Sequence, residues 1–378
     1  MKTKGILILF AVAGLFLVLE RRIDAHPATG IVLDRKGNVF FSDLETIWKL
    51  DPDGTLSVFR PGVSGRHVHE LAIDEHDNIY GADVSYELQK FIEDVWKMTP
   101  EGKLTYLLEP TANPPRGTSI WRDHEGNMYS VDQNNHTKTQ TLLLRRTPDG
   151  NVTTLAGSAY GHLDGKGAAA RFSSVGGMTF GPDGGLYLTD GDSVRKVAMD
   201  GTVSTLASKL TVPTDKDKQP LFGGSYGTLA GLTVDSDGSV FLADAGNRRL
   251  LKVSSVGKVD VVLRSEPPYF PNGAVATASG DVYVLEVGFT LPNISSGPRI
   301  RKLSRDGRIV TLATVGEKGG VKGIRAALAQ GAGRSAETTI QFFYNGSGTK
   351  YVIALVGVVT LTLVAVSFWK RKRGHRRV

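Results

Sequence analysis

The feature of this chain that most constrains its fold is a pattern that recurs six times between residues 30 and 307. Each copy contains a short apolar run, a tight polar turn, a second apolar run and then an acid, which always stands five residues after the same turn position. Farther along each copy, a base stands five residues before a glycine. The acids are Asp43, Asp83, Asp132, Asp190, Asp244 and Glu286, and the bases are Lys49, Lys97, Arg145, Lys196, Lys252 and Lys302. These two constant spacings, the acid register and the glycine register, each occur six times and indicate six copies of one structural unit.

The repeated unit reads as two β-hairpins. Its apolar runs are short, rich in β-branched and aromatic residues, and separated by Asp-Gly or Gly-Asn turns. Two hairpins occupy about 45 residues, which is the size of a four-stranded propeller blade. The sequence therefore predicts an all-β fold, a six-bladed β-propeller over residues 26–314, whose strands we name A to D in each blade. Because only residues 25–29 precede the first strand A, we expect blades 6 and 1 to meet without exchanging a strand.

Two stretches carry a family resemblance. LADAGNRRLLKV, and more broadly residues 150–264, resemble NHL repeats of the kind found in exported bacterial proteins; the other blades match more loosely. That resemblance implies a six-bladed propeller and, in most members of the family, a binding role. It does not specify a ligand.

Both ends of the chain have the composition of membrane-directed segments. Residues 5–19 form an apolar run after two lysines, so residues 1–25 are predicted to be a signal peptide or an uncleaved anchor. Residues 351–369 carry no charge and are long enough for a transmembrane helix. A linker over residues 315–350 precedes this helix, and the basic tail of residues 370–378 follows it. The tail predicts a cytoplasmic C-terminus and a propeller outside the cytoplasm.

Charge and cysteine content restrict the expected partners and the cellular location of the protein. The formal net charge is +7, but it comes from the two ends, and the propeller region is close to neutral. Without a basic surface, nucleic acid is not an expected partner. The chain has no cysteine, and since animal and plant ectodomains commonly carry disulfides, this favours a bacterial envelope protein.

Loop lengths vary on one face of the predicted ring. In an antiparallel blade the B–C and D–A connections share one face, here called the loop face, and the A–B and C–D turns share the other, the turn face. The long B–C connections of blades 2, 3 and 6 and the long D–A connections before blades 4 and 5 all fall on the loop face. We therefore expect a protein or carbohydrate ligand to bind there.

Polar residues where strand A begins are the candidate ligand-binding residues. Most of these positions hold small residues, but blade 2 reads His67-Val68-His69-Glu70 and blade 6 contains Asn272. His67 and His69 alternate along an extended segment and so share one side, an arrangement that suits zinc. Tyrosines in the variable connections could add contacts: Tyr86, Tyr160, Tyr226 and Tyr269.

A second resemblance concerns Glu70 and Asn272. The pair is similar to part of the site of gluconolactonase- and paraoxonase-like hydrolases, in which a Glu, two Asn and an Asp hold a divalent cation. PNGAVATASGDVYVLE, from Pro271, resembles a strand of strictosidine-synthase-like propellers. Two side chains are few for calcium, which takes six or more oxygens. The sequence therefore favours a membrane-anchored recognition module of unknown ligand and unknown catalytic residues. The alternative is a cation-dependent lactonase, esterase or lyase at the loop-face mouth of the channel, around His69, Glu70 and Asn272, with calcium or zinc held by Glu70 and Asn272.

Overall fold

The computed structural model describes residues 29–134, 137–214, 229–288 and 296–316. All of them belong to one compact unit. Tyr226, the N-terminal segment 1–25, linker residues 317–350, the segment 351–369 and the tail 370–378 lie outside the described residues. Within the described ranges, no helix has the length and apolar character needed to cross a membrane.

In these ranges the chain forms 24 strands in six antiparallel sheets, so the prediction of an all-β, six-bladed propeller is confirmed. The strands of blades 1 to 3 are β1 Ile31–Leu33, β2 Val39–Ser42, β3 Ile47–Leu50, β4 Leu56–Arg60, β5 His67–Ile73, β6 Ile79–Glu87, β7 Lys90–Met98, β8 Leu104–Thr111, β9 Met128–Gln133, β10 Gln140–Arg146 and β11 Val152–Ala159. In blade 3, strand A is reduced to a bridge between Arg122 and Met128.

Blades 4 to 6 complete the ring, and blade 4 carries an additional outer strand, β12, beside its strand D. Their strands are β12 Gly165–Lys166, β13 Val175–Phe180, β14 Leu186–Asp190, β15 Ser193–Val197, β16 Thr202–Ala207, β17 Leu229–Val234, β18 Val240–Asp244, β19 Arg249–Val253, β20 Val259–Arg264, β21 Tyr269–Ala276, β22 Val282–Gly288, β23 Ser296–Leu303 and β24 Ile309–Thr314. A 3₁₀ turn at Gly167–Ala169 follows β12.

The repeated glycine of each unit closes the C–D hairpin. These six glycines have φ between 83° and 91°, in the left-handed region that disfavours side chains. They are Gly54, Gly102, Gly150, Gly201, Gly257 and Gly307. The glycine register of the sequence is therefore a requirement of turn geometry.

The repeated acids and bases bind different partners from each other. The base of strand C lies opposite an aromatic residue of strand B, as Lys196 lies opposite Tyr187. Tyr187 stands three residues before the acid Asp190 on the same strand, a distance of about 10 Å. Lys302 pairs instead with the turn carboxylate of Asp281, at 2.7 Å. The acids accept hydrogen bonds from other groups, for example Asp244 from Arg249 at 2.7 Å. The repeated acid and the repeated base of these blades therefore take part in separate contacts.

The ring closes by contact between complete blades. Each sheet is made of consecutive strands, and blades 6 and 1 share one apolar cluster that includes Ile31, Leu285 and Ile300. Glycines of strand A permit the close approach, because a Cβ on Gly273 would lie 2.3 Å from the carbonyl oxygen of Thr29. The expected closure without an exchanged strand agrees with this arrangement.

Candidate functional site in the axial channel

A cavity of about 880 Å³ runs along the axis of the propeller, lined by the inner strands of all six blades. Its wall also includes residues of the A–B turns, such as Glu75 of blade 2 and His124 of blade 3. The inner strands converge at the loop face. A Cβ on Gly231 of blade 5 would lie only 3.2 Å from the Cβ of Thr29 of blade 1, although blade 6 stands between these two blades. We infer that the channel opens toward the turn face.

The inner strands differ from one another at two levels of the channel. Four residues before the A–B turn, five blades have glycine or serine and blade 2 has Glu70; the others are Gly30, Ser119, Gly177, Gly231 and Gly273. Directly before the turn, five blades have an apolar residue and blade 3 has Arg122; the others are Leu33, Ile73, Phe180, Val234 and Ala276. Both exceptions line the cavity from neighbouring blades, so the channel has one polar side.

Glu70 is the acid on this polar side. Its Oε2 accepts a hydrogen bond from Nε1 of Trp121 at 3.2 Å. Desolvation by the surrounding protein raises the pKa of Glu70 to about 7, and the bond from Trp121 opposes this only in part. A carboxyl group with a pKa near neutrality can both donate and accept a proton at physiological pH.

Arg122 is the base on the same side. Its guanidinium carbon lies 5.7 Å from the ring centre of Tyr80, and burial lowers its pKa. Burial, together with a hydrogen bond to Asp74, raises the pKa of Tyr80 to about 12, so the phenol stays protonated. The aromatic face therefore stabilises the cation without neutralising it.

The other residues predicted at the start of strand A do not line this cavity. His67 and His69 have ring centres 6.0 Å apart, so they do share one side of β5. Burial lowers the pKa of His67, which favours its neutral form. Asn272 is only 2 % exposed on β21. Of these four candidates, Glu70 alone contributes to the channel wall.

Three of the four predicted tyrosines, Tyr86, Tyr160 and Tyr269, are among the described residues, and they lie in the loop-face connections, away from the channel lining. Tyr86 stacks edge-on against Phe91 in the blade-2 hairpin, with ring centres 5.1 Å apart. Lys138 lies over the ring of Tyr160 at 5.6 Å, and Arg299 lies over Tyr269 at 3.7 Å. These three rings are spread over different blades and do not form one site.

The residues predicted to hold a cation do not fit calcium or zinc in the described part of the chain. There, no group of three or more His, Asp or Glu side chains is placed to hold a metal ion. One oxygen of Glu70 is already engaged by Trp121, and Asn272 lies outside the cavity wall. We therefore derive no step from a bound metal.

Sequence reasoning identified Glu70 and missed Tyr80, Trp121 and Arg122. A signal for two of them was present, because the other blades have small or apolar residues at the positions of Trp121 and Arg122. Comparing the ends of the six inner strands, as well as their beginnings, would have singled out Arg122.

Comparison with known proteins finds no sequence family and only remote structural likeness. The sequence matches no known family profile and no curated protein. Among solved structures, virginiamycin B lyase from Staphylococcus aureus is 15% identical, with 77% of this chain and 85% of that chain covered and a TM-score of 0.45. Regucalcin from Agrobacterium tumefaciens, described as a calcium-binding protein, is 16% identical over 69% and 83%, with a TM-score of 0.43. A gluconolactonase from Xanthomonas campestris is 15% identical over 70% and 84%, also at 0.43. Likeness at this level carries no argument about fold or activity, and the NHL resemblance stays a prediction.

Proposed function

We propose that this protein is a recognition propeller that binds a small organic molecule in its axial channel. The observation that carries the proposal is the one-sided wall of a cavity of about 880 Å³, in which Glu70, Trp121 and Arg122 replace the small and apolar residues of the other blades. Ligand sites are typically largely apolar cavities with a few convergent polar groups. We further propose that residues 351–369 anchor the propeller outside the cytoplasm.

Filling part of the channel is expected to weaken ligand binding. Thr179 is half-buried in the blade-4 wall, so Thr179→Trp would occupy part of the cavity. We expect aromatic fragments that bind the wild-type protein to lose at least about tenfold in affinity for this variant, a loss of roughly 1.4 kcal/mol. Saturation-transfer NMR on the full chain, recovered from the membrane fraction, measures this. Recovery of the intact chain as a soluble protein would contradict the anchoring.

The matched control is Ser204→Trp, which adds the same side chain at an exposed position of β16. It should bind the fragments as the wild type does. Fragments that bind wild type and Thr179→Trp equally would contradict the channel proposal. They would direct attention to the proposed protein- or carbohydrate-binding loop face, where Leu88 is 97 % exposed beside Tyr86 and Phe91.

A second candidate function is a hydrolase or lyase that uses Glu70 as a general acid or base, and the raised pKa of Glu70 favours it. If so, kcat/KM on a panel of lactones and esters should change with pH around 7, and Glu70→Gln should lower it by roughly 10²–10⁴-fold.

Because the folded chain binds the Glu70 proton more tightly than the unfolded chain, the stability this provides is present at low pH and is lost as pH rises through about 7. Glu70→Gln should therefore stay folded at pH 8. No turnover of the panel by wild-type protein, or an unchanged rate in the variant, would exclude this role on these substrates.

A further inference from the structure

Arg122 is a channel cation without an acidic partner. Its Nε is buried and has no hydrogen-bond partner, and no ion pair to its guanidinium is found among the described residues. Its two Nη atoms are not fully buried, and no hydrogen bond from them is found among the described residues. Arg122 lines the cavity, so these donors are accessible from the channel. A guanidinium held in this way has lost part of its hydration and keeps donors directed at the channel.

The carboxylates at this end of the channel already have other partners. Asp74 accepts hydrogen bonds from Asn78 and from Tyr80, the latter at 2.9 Å. Asp123 accepts one from Tyr129 at 2.8 Å, and Glu125 pairs with Arg145 at 3.5 Å. The remaining Glu75 is largely exposed, and its carboxylate lies 3.6 Å from the imidazole of His76. None of these acids neutralises Arg122, yet their charges would oppose a multiply charged anion at the same mouth.

The wall between Arg122 and Glu70 suits an apolar body. The level of Glu70 and the level of Arg122 are three residues apart along an inner strand, which corresponds to about 10 Å along the channel. Trp121 connects the two levels, because it is adjacent to Arg122 in the chain and donates a hydrogen bond to Glu70. Met178 and Leu232 line the same cavity. The polar groups are therefore separated by roughly the length of a small aromatic acid.

We propose that Arg122 binds the carboxylate of a small organic monoacid in the channel, with the apolar part of the ligand packed against Trp121. This inference rests on the proposed function and specifies its ligand class. A guanidinium edge and a carboxylate form two parallel charge-assisted hydrogen bonds, which a neutral amide cannot reproduce. One unpaired cation matches a single negative charge, whereas the acids of the channel mouth disfavour a phosphate dianion.

The test compares three probes that differ only in their polar end: 4-phenylbutanoate, 4-phenylbutanamide and 4-phenylbutylamine. Their affinities for the full chain are measured by titration calorimetry at neutral pH. We expect the acid to bind wild-type protein roughly 10- to 100-fold more tightly than the amide. Arg122→Gln should remove that preference, and Arg122→Lys should keep only part of it, because lysine lacks the planar pair of donors.

Arg35→Gln is the matched control, because it removes one positive charge from an exposed blade-1 side chain on the turn face. It should keep the preference for the acid. Equal binding of acid and amide to wild type, a preference that survives in Arg122→Gln, or tighter binding of the amine would overturn the carboxylate site while leaving channel binding intact. If none of the probes binds, the result counts against the proposed function as well as this inference. Thermal unfolding of Arg122→Gln near the wild-type temperature shows that lost preference is not lost structure.

Discussion

Replacing Arg195 with methionine is expected to destabilise the folded protein by about 3–5 kcal/mol, because it leaves a buried carboxylate without its partner. Arg195 is fully buried and donates to Asp190 at 2.6 Å and to Asp164 at 3.0 Å. It also donates to the carbonyl oxygen of Leu163, in the connector that enters blade 4. Thermal unfolding followed by circular dichroism should show a melting temperature lower by roughly 10 °C.

Lys166→Met provides the control for Arg195→Met. Lys166 pairs with Asp200 at 2.8 Å, but both side chains are more than half exposed, so its loss should cost less than about 1 kcal/mol. Adding Asp190→Asn to Arg195→Met should restore part of the lost stability, since asparagine removes the buried charge and still accepts from the amide of Ser173. Equal stabilities for Arg195→Met and Lys166→Met would contradict the structural role assigned to Arg195.

Gly273→Ala is expected to weaken the closure of the ring by about 3 kcal/mol or more. The added methyl group would lie 2.3 Å from the carbonyl oxygen of Thr29 and 3.1 Å from a methyl group of Ile31. The first contact is with backbone, so relief requires blades 6 and 1 to separate. Hydrogen exchange should show faster exchange of amides in these two blades than in blades 3 and 4.

Gly185→Ala isolates the effect of the contact from that of the substitution. Around Gly185 the nearest atoms to an added Cβ lie at 3.4 Å, an ordinary van der Waals distance. This variant should be within about 1 kcal/mol of wild type, because removing a glycine also restricts the unfolded chain. If Gly273→Ala unfolds at the same temperature as Gly185→Ala, the closure does not depend on Gly273.

The fold could be predicted from the sequence because its two registers are set by local geometry. The glycine register exists since each C–D turn needs a residue with positive φ, as at Gly201 with φ of 84°. The acid register could not be interpreted correctly in the same way. Asp190 is paired with Arg195 and Asp244 with Arg249, each five residues later, but Asp83 is paired with Arg60 of the preceding blade. One spacing therefore does not identify the partner of every acid.

The candidate site was only partly predictable, because strand A is irregular where it begins. In blade 2 the pairing register shifts between Val68 and Leu71, and in blade 6 it shifts between Pro271 and Gly273. A bulge of this kind breaks the alternation of side chains between the two faces. The sequence therefore identifies Glu70 and Asn272 as exceptions but cannot decide which of them reaches the channel.

The way the ring closes has a consequence for how the protein is made. Because every sheet consists of consecutive strands, each blade can form once its own segment is free to fold, and five of the six blade contacts can follow in chain order. The last contact joins Ile31 to Leu285 and Ile300, so it must wait until nearly the whole propeller has been synthesised. Until then the apolar flanks of the first and last blades stay open to water. This seam is therefore the last apolar interface of the ring to be buried as the chain folds.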